Sequence, residues 1–158
     1  MFEVRPGTAT DRPWIIERLT EWWASPTIVT RGRLVDASTM PAFIAVENAQ
    51  RLGLATYEMK NAACELVTLN SFAEGRGIGA ALVDAVADAA RDAGCRRLWL
   101  ITTNDNLPAL RFYQKRGFHL VAVHRGALER SRALKPQIPM TGLHGIPLRD
   151  EIELEMLL

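Results

Sequence analysis

The stretch "EGRGIGAAL", residues 74 to 82, sets glycines at positions 75, 77 and 79 and runs straight into an alanine- and valine-rich segment. Upstream, "CELVTLN" reads as a strand. Downstream, a helical pattern from about Gly77 to Ala93 stops at Gly94, and the apolar strand "RRLWLITT" follows. Strand, glycine turn, helix, strand is the order of an α/β unit, and no other feature restricts the architecture as much. The mouth of a helix exposes unpaired backbone N–H groups at the positive end of its dipole and so attracts anions. Side chains would obstruct that approach. Glycines let the main chain curve and admit a phosphate or diphosphate to several amides at once, although a tight turn without a ligand also explains them.

Two familiar phosphate loops fail on spacing. A P-loop requires lysine and then serine or threonine after its last glycine, where Ala80 and Ala81 stand here. A dinucleotide loop requires GxGxxG after the first strand; "GRGIGAAL" has alanine in place of the third glycine and follows several strands.

Around this unit the chain reads as a mixed α/β domain. "FEVRP" alternates like a strand. "TATDRPWIIERLTEWWASP" then has helix punctuation, with Asp11 or Thr10 as cap, Pro13 early and Pro26 beyond the end. Its apolar stripe, Trp14, Ile15, Leu19, Trp22 and Trp23 with Arg18 among them, suits core packing or the wall of an acceptor pocket. "TIVTRGRLVDAS" fits a short strand or a loop over a site. "AFIAVE" and "QRLGLATYEM" look like antiparallel strands around the "ENAQ" turn, "NLPALRFYQKRG" like a helix, and "FHLVAVH" like a strand. A short basic helix, a loop over residues 136–148 and a last strand from Arg149 to Leu157 complete the chain; a loop of that length marks a candidate wall of the acceptor site.

The 158 residues suit one domain spanning 1–158, and 48% hydrophobic residues with a formal charge of +1 describe an ordinary globular chain. Balanced charge gives no general attraction to nucleic acid or anionic lipid, and no apolar run approaches the length of a membrane span. Cys64 and Cys95 fit no metal spacing; with no leader segment in the sequence, the expectation is two free buried thiols, a cytoplasmic protein and no metal.

Taken together, "LVTLNSFAEGRGIGAAL" and "NDNLPALRFYQKRGF" resemble the two signature segments of the GNAT superfamily of acyl-CoA-dependent N-acyltransferases. The first segment of that superfamily reads Gln/Arg-x-x-Gly-x-Gly/Ala, and residues 74 to 79 match it except at the first position. There Glu74 would repel a diphosphate and is expected to face solvent. In the second segment an asparagine stands seven residues before a tyrosine, and a glycine and phenylalanine close it, as do Asn106, Tyr113, Gly117 and Phe118. The resemblance implies a mixed, mostly antiparallel sheet of about seven strands flanked by helices on both faces and splayed between its fourth and fifth strands. It also implies acetyl-CoA as acyl donor and an amine as acceptor.

By the same resemblance, the amides around Arg76, Gly77, Ile78, Gly79 and Ala80 take the diphosphate, and the main chain of Val67, Thr68 and Leu69 pairs with pantetheine. An amide there serves as oxyanion donor, and Tyr113 is the general acid for the departing sulfur. Asn106 is a side-chain contact to coenzyme A or simply a helix cap, and Tyr113 also fits an aromatic core beside Phe112.

A lysine-like amine with pKa about 10.4 is only about 0.04% neutral at pH 7, a handicap of roughly 4.6 kcal/mol, so a route for its proton is required. Glu65, first, and Glu58 are acids in otherwise apolar strands and supply candidates for a base; a water chain, His119 or His124 are others, and a solvated strand edge accounts for the acids equally. The basic residues of the tail, Arg125, Arg130, Arg132 and Lys135, and Arg31 with Arg33, either steer an acidic acceptor or form solvated faces. A coenzyme A-binding module without turnover is the rival reading. The superfamily often dimerises, and the last strand, "EIELEMLL", offers an edge to a second copy or an internal edge.

Overall fold

The computed structural model describes residues 1–158. In chain order the elements are β1 (Glu3–Pro6), α1 (Arg12–Trp23), β2 (Thr27–Thr30), β3 (Arg33–Asp36), β4 (Ala42–Glu47), β5 (Gln50–Lys60), β6 (Ala63–Ser71) and α2 (Ile78–Asp92). Then come β7 (Arg97–Thr103), α3 (Leu107–Lys115), β8 (His119–His124), α4 (Ala127–Leu134) and β9 (Glu151–Leu157). Seven strands form one mixed sheet in the order β1-β4-β5-β6-β7-β9-β8, antiparallel except between β6 and β7. The segment that fitted either strand or loop is a separate hairpin, β2 with β3, turning at Arg31 and Gly32.

The last strand is not a free edge. β9 is inserted between β7 and β8 and paired on both sides, so it offers no edge to a second chain; the edges of the sheet are β1 and β8.

On one face of the sheet, α2 presents Ile78, Leu82, Val83, Val86, Ala87 and Ala90 to strand residues such as Cys64, Leu66, Leu98 and Leu154 in the larger core cluster. The helix sits low because Gly53 of β5 has no side chain; a Cβ there would come 2.6 Å from Ile78 Cγ2. On the other face Ile15 and Leu19 of α1 pack with Ile28, Ile44 and Leu54. Both cysteines are free and buried, as expected, and burial pushes the Cys64 thiol up to about 12.

The start of α1 departs from the sequence reading. Asp11 does not cap that helix with its side chain. Its carboxylate instead accepts from Arg5 Nη1 at 2.7 Å and Nη2 at 2.9 Å, from Arg51 Nε at 2.9 Å and from Thr8 N at 2.8 Å. A buried acid surrounded by donors ties β1, the start of α1 and β5 together. No helix of the protein is long and apolar enough to cross a membrane.

Candidate active site

The site begins with a break in the sheet. β6 and β7 share only three residue pairs, Ala63 with Arg97, Cys64 with Leu98 and Glu65 with Trp99, before they part. The cause lies on the opposite side of β6. Its register with β5 slips between Thr56 and Tyr57, which pair with Thr68 and Leu66, so that Val67 is an extra residue. Such a bulge bends and twists its strand, here away from β7. From Leu66 to Asn70 the β7-facing main chain therefore has no strand partner, and the splay lies between the fourth and fifth strands, as expected.

A cavity of about 750 Å³ fills the gap. Glu65, Val67, Thr68, Leu69, Asn106 and Tyr113, all selected from the sequence, line it together. Tyr113 projects from α3, which begins where Asn106 Oδ1 accepts from Ala109 N at 3.2 Å, so the cap reading of Asn106 holds while the residue also faces the cavity. The Tyr113 ring packs edge-on against Phe112 and Phe118, and burial pushes its phenol well above the ordinary tyrosine value. Core packing and exposure to the cavity coexist in this one side chain.

Glu65 stands on the last β6–β7 rung and is 3% exposed. One oxygen accepts from the Thr30 hydroxyl, and the other has no hydrogen-bond partner; Arg33 Nη2 lies 3.7 Å from it. Burial raises its pKa, against the lowering effects of the Thr30 hydrogen bond and Arg33. The other acid considered, Glu58, lies opposite Glu65 in the strand register but outside the cavity lining, paired with Arg33 at 3.2 Å. His119 is exposed, and His124 contacts Glu153 at 3.0 Å; neither lines the cavity.

Beyond β6, the chain turns at Phe72, which stacks on Trp22 at 4.4 Å and meets Trp14 edge-on at 5.6 Å. The glycine loop follows. Gly75 and Gly77 have φ of 74° and 76°, in the left-handed region, and a Cβ on either would meet nothing within 4 Å. The first helical hydrogen bond of α2 runs from Ala81 N to Gly77 O, so the amides of Ile78, Gly79 and Ala80 have no partner within the helix. Glu74 is exposed, as expected. Arg76 is engaged elsewhere: its Nη2 donates to Glu47 Oε1 at 2.8 Å, and the guanidinium lies over the Phe2 ring.

Several lining residues carried no signal in the sequence. Glu151, at the start of β9, is 3% exposed and lines the cavity, as do Thr30 and Asn70, whose Oδ1 is buried without a partner. The pattern "EIELE" marks alternation but not which parity faces inward. The loop over residues 136–148 does wall the cavity, through Gln137, Ile138, Pro139, Gly142, Leu143 and Leu148. Asp105 anchors it by accepting from Leu143 N at 2.8 Å, and Trp22 and Trp23 of α1 close another side.

The basic tail forms neither of the expected faces throughout. Arg132 donates to the carbonyls of Pro139 and Leu148. Lys135 is 6% exposed and donates to the carbonyls of Trp23 and Thr27, and burial lowers its pKa.

A sheet split beside a glycine-loop helix, with a tyrosine from the next helix facing the gap, is the architecture that the two signature segments implied. A sequence model of the Acetyltransferase (GNAT) family matches residues 8–118, and the chain belongs to that family. It is 37% identical over 153 residues to the protein YdhI of Bacillus subtilis (strain 168), covering 96% of each chain. It is also 40% identical over 70 residues to streptothricin acetyltransferase of Streptomyces lavendulae, covering 41% of this chain and 37% of that one. A GNAT family acetyltransferase from Elizabethkingia anophelis, solved with acetyl-CoA bound, superposes with a TM-score of 0.74 at 20% identity over 99% of this chain and 98% of that one.

Proposed function

We propose that this protein moves an acetyl group from acetyl-CoA to a primary amine of a small molecule or peptide, by direct attack within a ternary complex. The observation that carries this reading is the gap between β6 and β7, with unpaired main chain along one wall, a buried acid at its foot and a tyrosine across it. Support comes from the acetyl-CoA-bound structure of the same fold and from the acetyltransferase of Streptomyces lavendulae.

The residues present fit the donor. The free β6 main chain at Val67–Leu69 is where an amide-bearing pantetheine arm gains strand-like hydrogen bonds, and an N–H there donates to the thioester oxygen as negative charge develops on it. Ile78, Gly79 and Ala80 offer their amides to the diphosphate. Arg76 joins them only by leaving Glu47, and Asn106, its oxygen used as a cap, offers its amide NH₂.

The acceptor arrives as an ammonium ion and gives one proton to Glu65, which passes it to solvent. A raised carboxyl pKa brings this base closer to the working pH. The new C–N bond forms, the C–S bond breaks, and the thiolate takes the Tyr113 proton; the second amine proton returns to the tyrosine through solvent. Because burial lifts the phenol above its usual value of about 10, while a thiol lies near 8.5, complete transfer is uphill. Tyr113 therefore first donates a hydrogen bond that strengthens as sulfur gains charge, and gives up its proton only as the second amine proton replaces it.

The test is thiol release from acetyl-CoA across amino acids, polyamines, aminoglycosides and peptide amines, with the product mass measured. Tyr113→Phe is expected to slow release about 10²-fold or more while coenzyme A affinity stays within a few-fold. Wild-type turnover by that variant removes the acid role. Coenzyme A uptake with no thiol release from any amine favours the binding-module reading.

A further inference from the structure

Four charged side chains line the cavity: Glu65, Asp105, Glu151 and Lys135. Two are already used. Asp105 accepts from Thr103 and from Leu143 N, and Lys135 donates to two carbonyls. The other two are not. Glu65 is 3% exposed with an oxygen lacking any hydrogen-bond partner, and Glu151, equally buried, makes no ion pair: the main-chain N–H of Arg31 donates to it, and the charges of Arg31, His124 and Arg130 act on it only from beyond ion-pair distance.

Neighbouring cations do not resolve this. Arg33 is shared between Glu58 and Glu65, and Arg31 reaches Glu153 at 4.0 Å, although Glu153 already has Arg97 at 2.8 Å and His124 at 3.0 Å. Two buried carboxylates thus face one space without matched cations. Such charges are costly unless paired.

Their positions are fixed by the sheet. Glu65 pairs with Trp99 on one side of β7, and Glu151 with Thr103 on the other, so their main chains are offset by about 13 Å along the strand at ~3.3 Å per residue and by about 10 Å across it at ~4.8 Å per strand, while the two carboxylates reach towards each other closely enough to interact. The cavity lining that holds the two carboxylates also carries apolar residues, Ile28, Ile101 and Leu148 among them. Taking the acetyltransferase reading as its basis, we propose that the acceptor is an aliphatic diamine or polyamine, whose reacting nitrogen sits at Glu65 and whose second ammonium is held by Glu151. An acceptor with one charge would leave the second carboxylate unmatched, and one carrying a carboxylate would add a like charge.

The test compares three acceptors of similar length: 1,5-diaminopentane, n-pentylamine and 5-aminopentanoate. The expected order of kcat/KM is diamine, then monoamine, then amino acid, with about tenfold or more at each step. Glu151→Gln, checked for folding by its melting temperature, narrows the diamine-to-monoamine ratio by about tenfold and lessens the handicap of 5-aminopentanoate. Equal rates for the first two acceptors, preference for the amino acid, or an unchanged ratio in Glu151→Gln overturns the proposal. Calorimetry on coenzyme A-saturated protein separates it from the reading beneath it. Diamine binding tighter than pentylamine without turnover upholds the cavity assignment while removing the acetyl-transfer reading; absence of that preference in binding overturns the assignment whatever the turnover.

Discussion

Asp11 and Glu65 are the same chemical group at almost the same depth, 1% and 3% exposed, yet their surroundings differ completely. Two arginines and a main-chain N–H converge on Asp11, and they hold its carboxyl far below the ordinary value despite burial. Glu65 has one hydroxyl donor, a shared arginine and an unpartnered oxygen, and burial holds its pKa above the ordinary value. Depth alone does not decide what a buried acid does. One is matched and serves the fold, while the other is left short, as the proposed base role requires.

The largest expected effect follows from removing the charge at Glu65. Glu65→Gln should lower kcat/KM by about 10²–10⁴-fold with the melting temperature unchanged or higher, because an uncompensated buried charge has been removed. A marked loss of stability would show that Glu65 serves the fold after all. Asp11→Asn should do the opposite. It should reduce unfolding free energy by about 2–4 kcal/mol in a urea titration, at or below the usual range for a broken buried pair because both arginines are partly solvated, and leave kcat of the folded fraction intact.

Acid separates the two groups further. The folded pKa of Asp11 is depressed, so its stabilisation is present above the unfolded value near 3.8 and is lost as pH falls through the folded value. Glu65 has the reverse sign: its folded pKa exceeds 4.5, so the charged form is disfavoured, and protonation relieves that cost as pH falls towards 4.5. Melting curves of Glu65→Gln and wild type should therefore converge on acidification, and the acid limb of the kcat/KM profile should lie above pH 4.5.

Thr30→Val sharpens the contrast at smaller scale. It strips Glu65 of its hydroxyl donor, should cost about 1–2 kcal/mol in stability, and should move the acid limb upward. The smallest effect is expected at the exposed pair Arg76 and Glu47. Glu47→Gln should tighten coenzyme A binding by at most a few-fold, measured calorimetrically at low salt.

The parts of this site that a reader of the sequence can find are those fixed locally. Gly77 and Asn106 mark the starts of α2 and α3 because turn and cap chemistry involve residues close in sequence. Tyr113 follows at a fixed spacing from Asn106. The rest depends on register and on distant partners. The extra residue at Val67 is a property of two strands together, and "TIVTRGRLVDAS" gives no sign that its hairpin lays Thr30 on Glu65. Glu151 reaches the cavity only because the chain returns to insert β9 between β7 and β8. Asp11 looked like a helix cap because short-range logic did not include Arg51, brought in by β5.

The three rungs between β6 and β7 have a mechanical consequence. Four strands, β1, β4, β5 and β6, form one panel, and β7, β9 and β8 form another, hinged at Ala63–Glu65. A donor lying along the open margin of the first panel would act as a removable rivet between them. Amide hydrogens at the margin should exchange freely in the empty protein and slowly in the loaded one, so each turnover would pass through a stiffer molecule than the one it starts from.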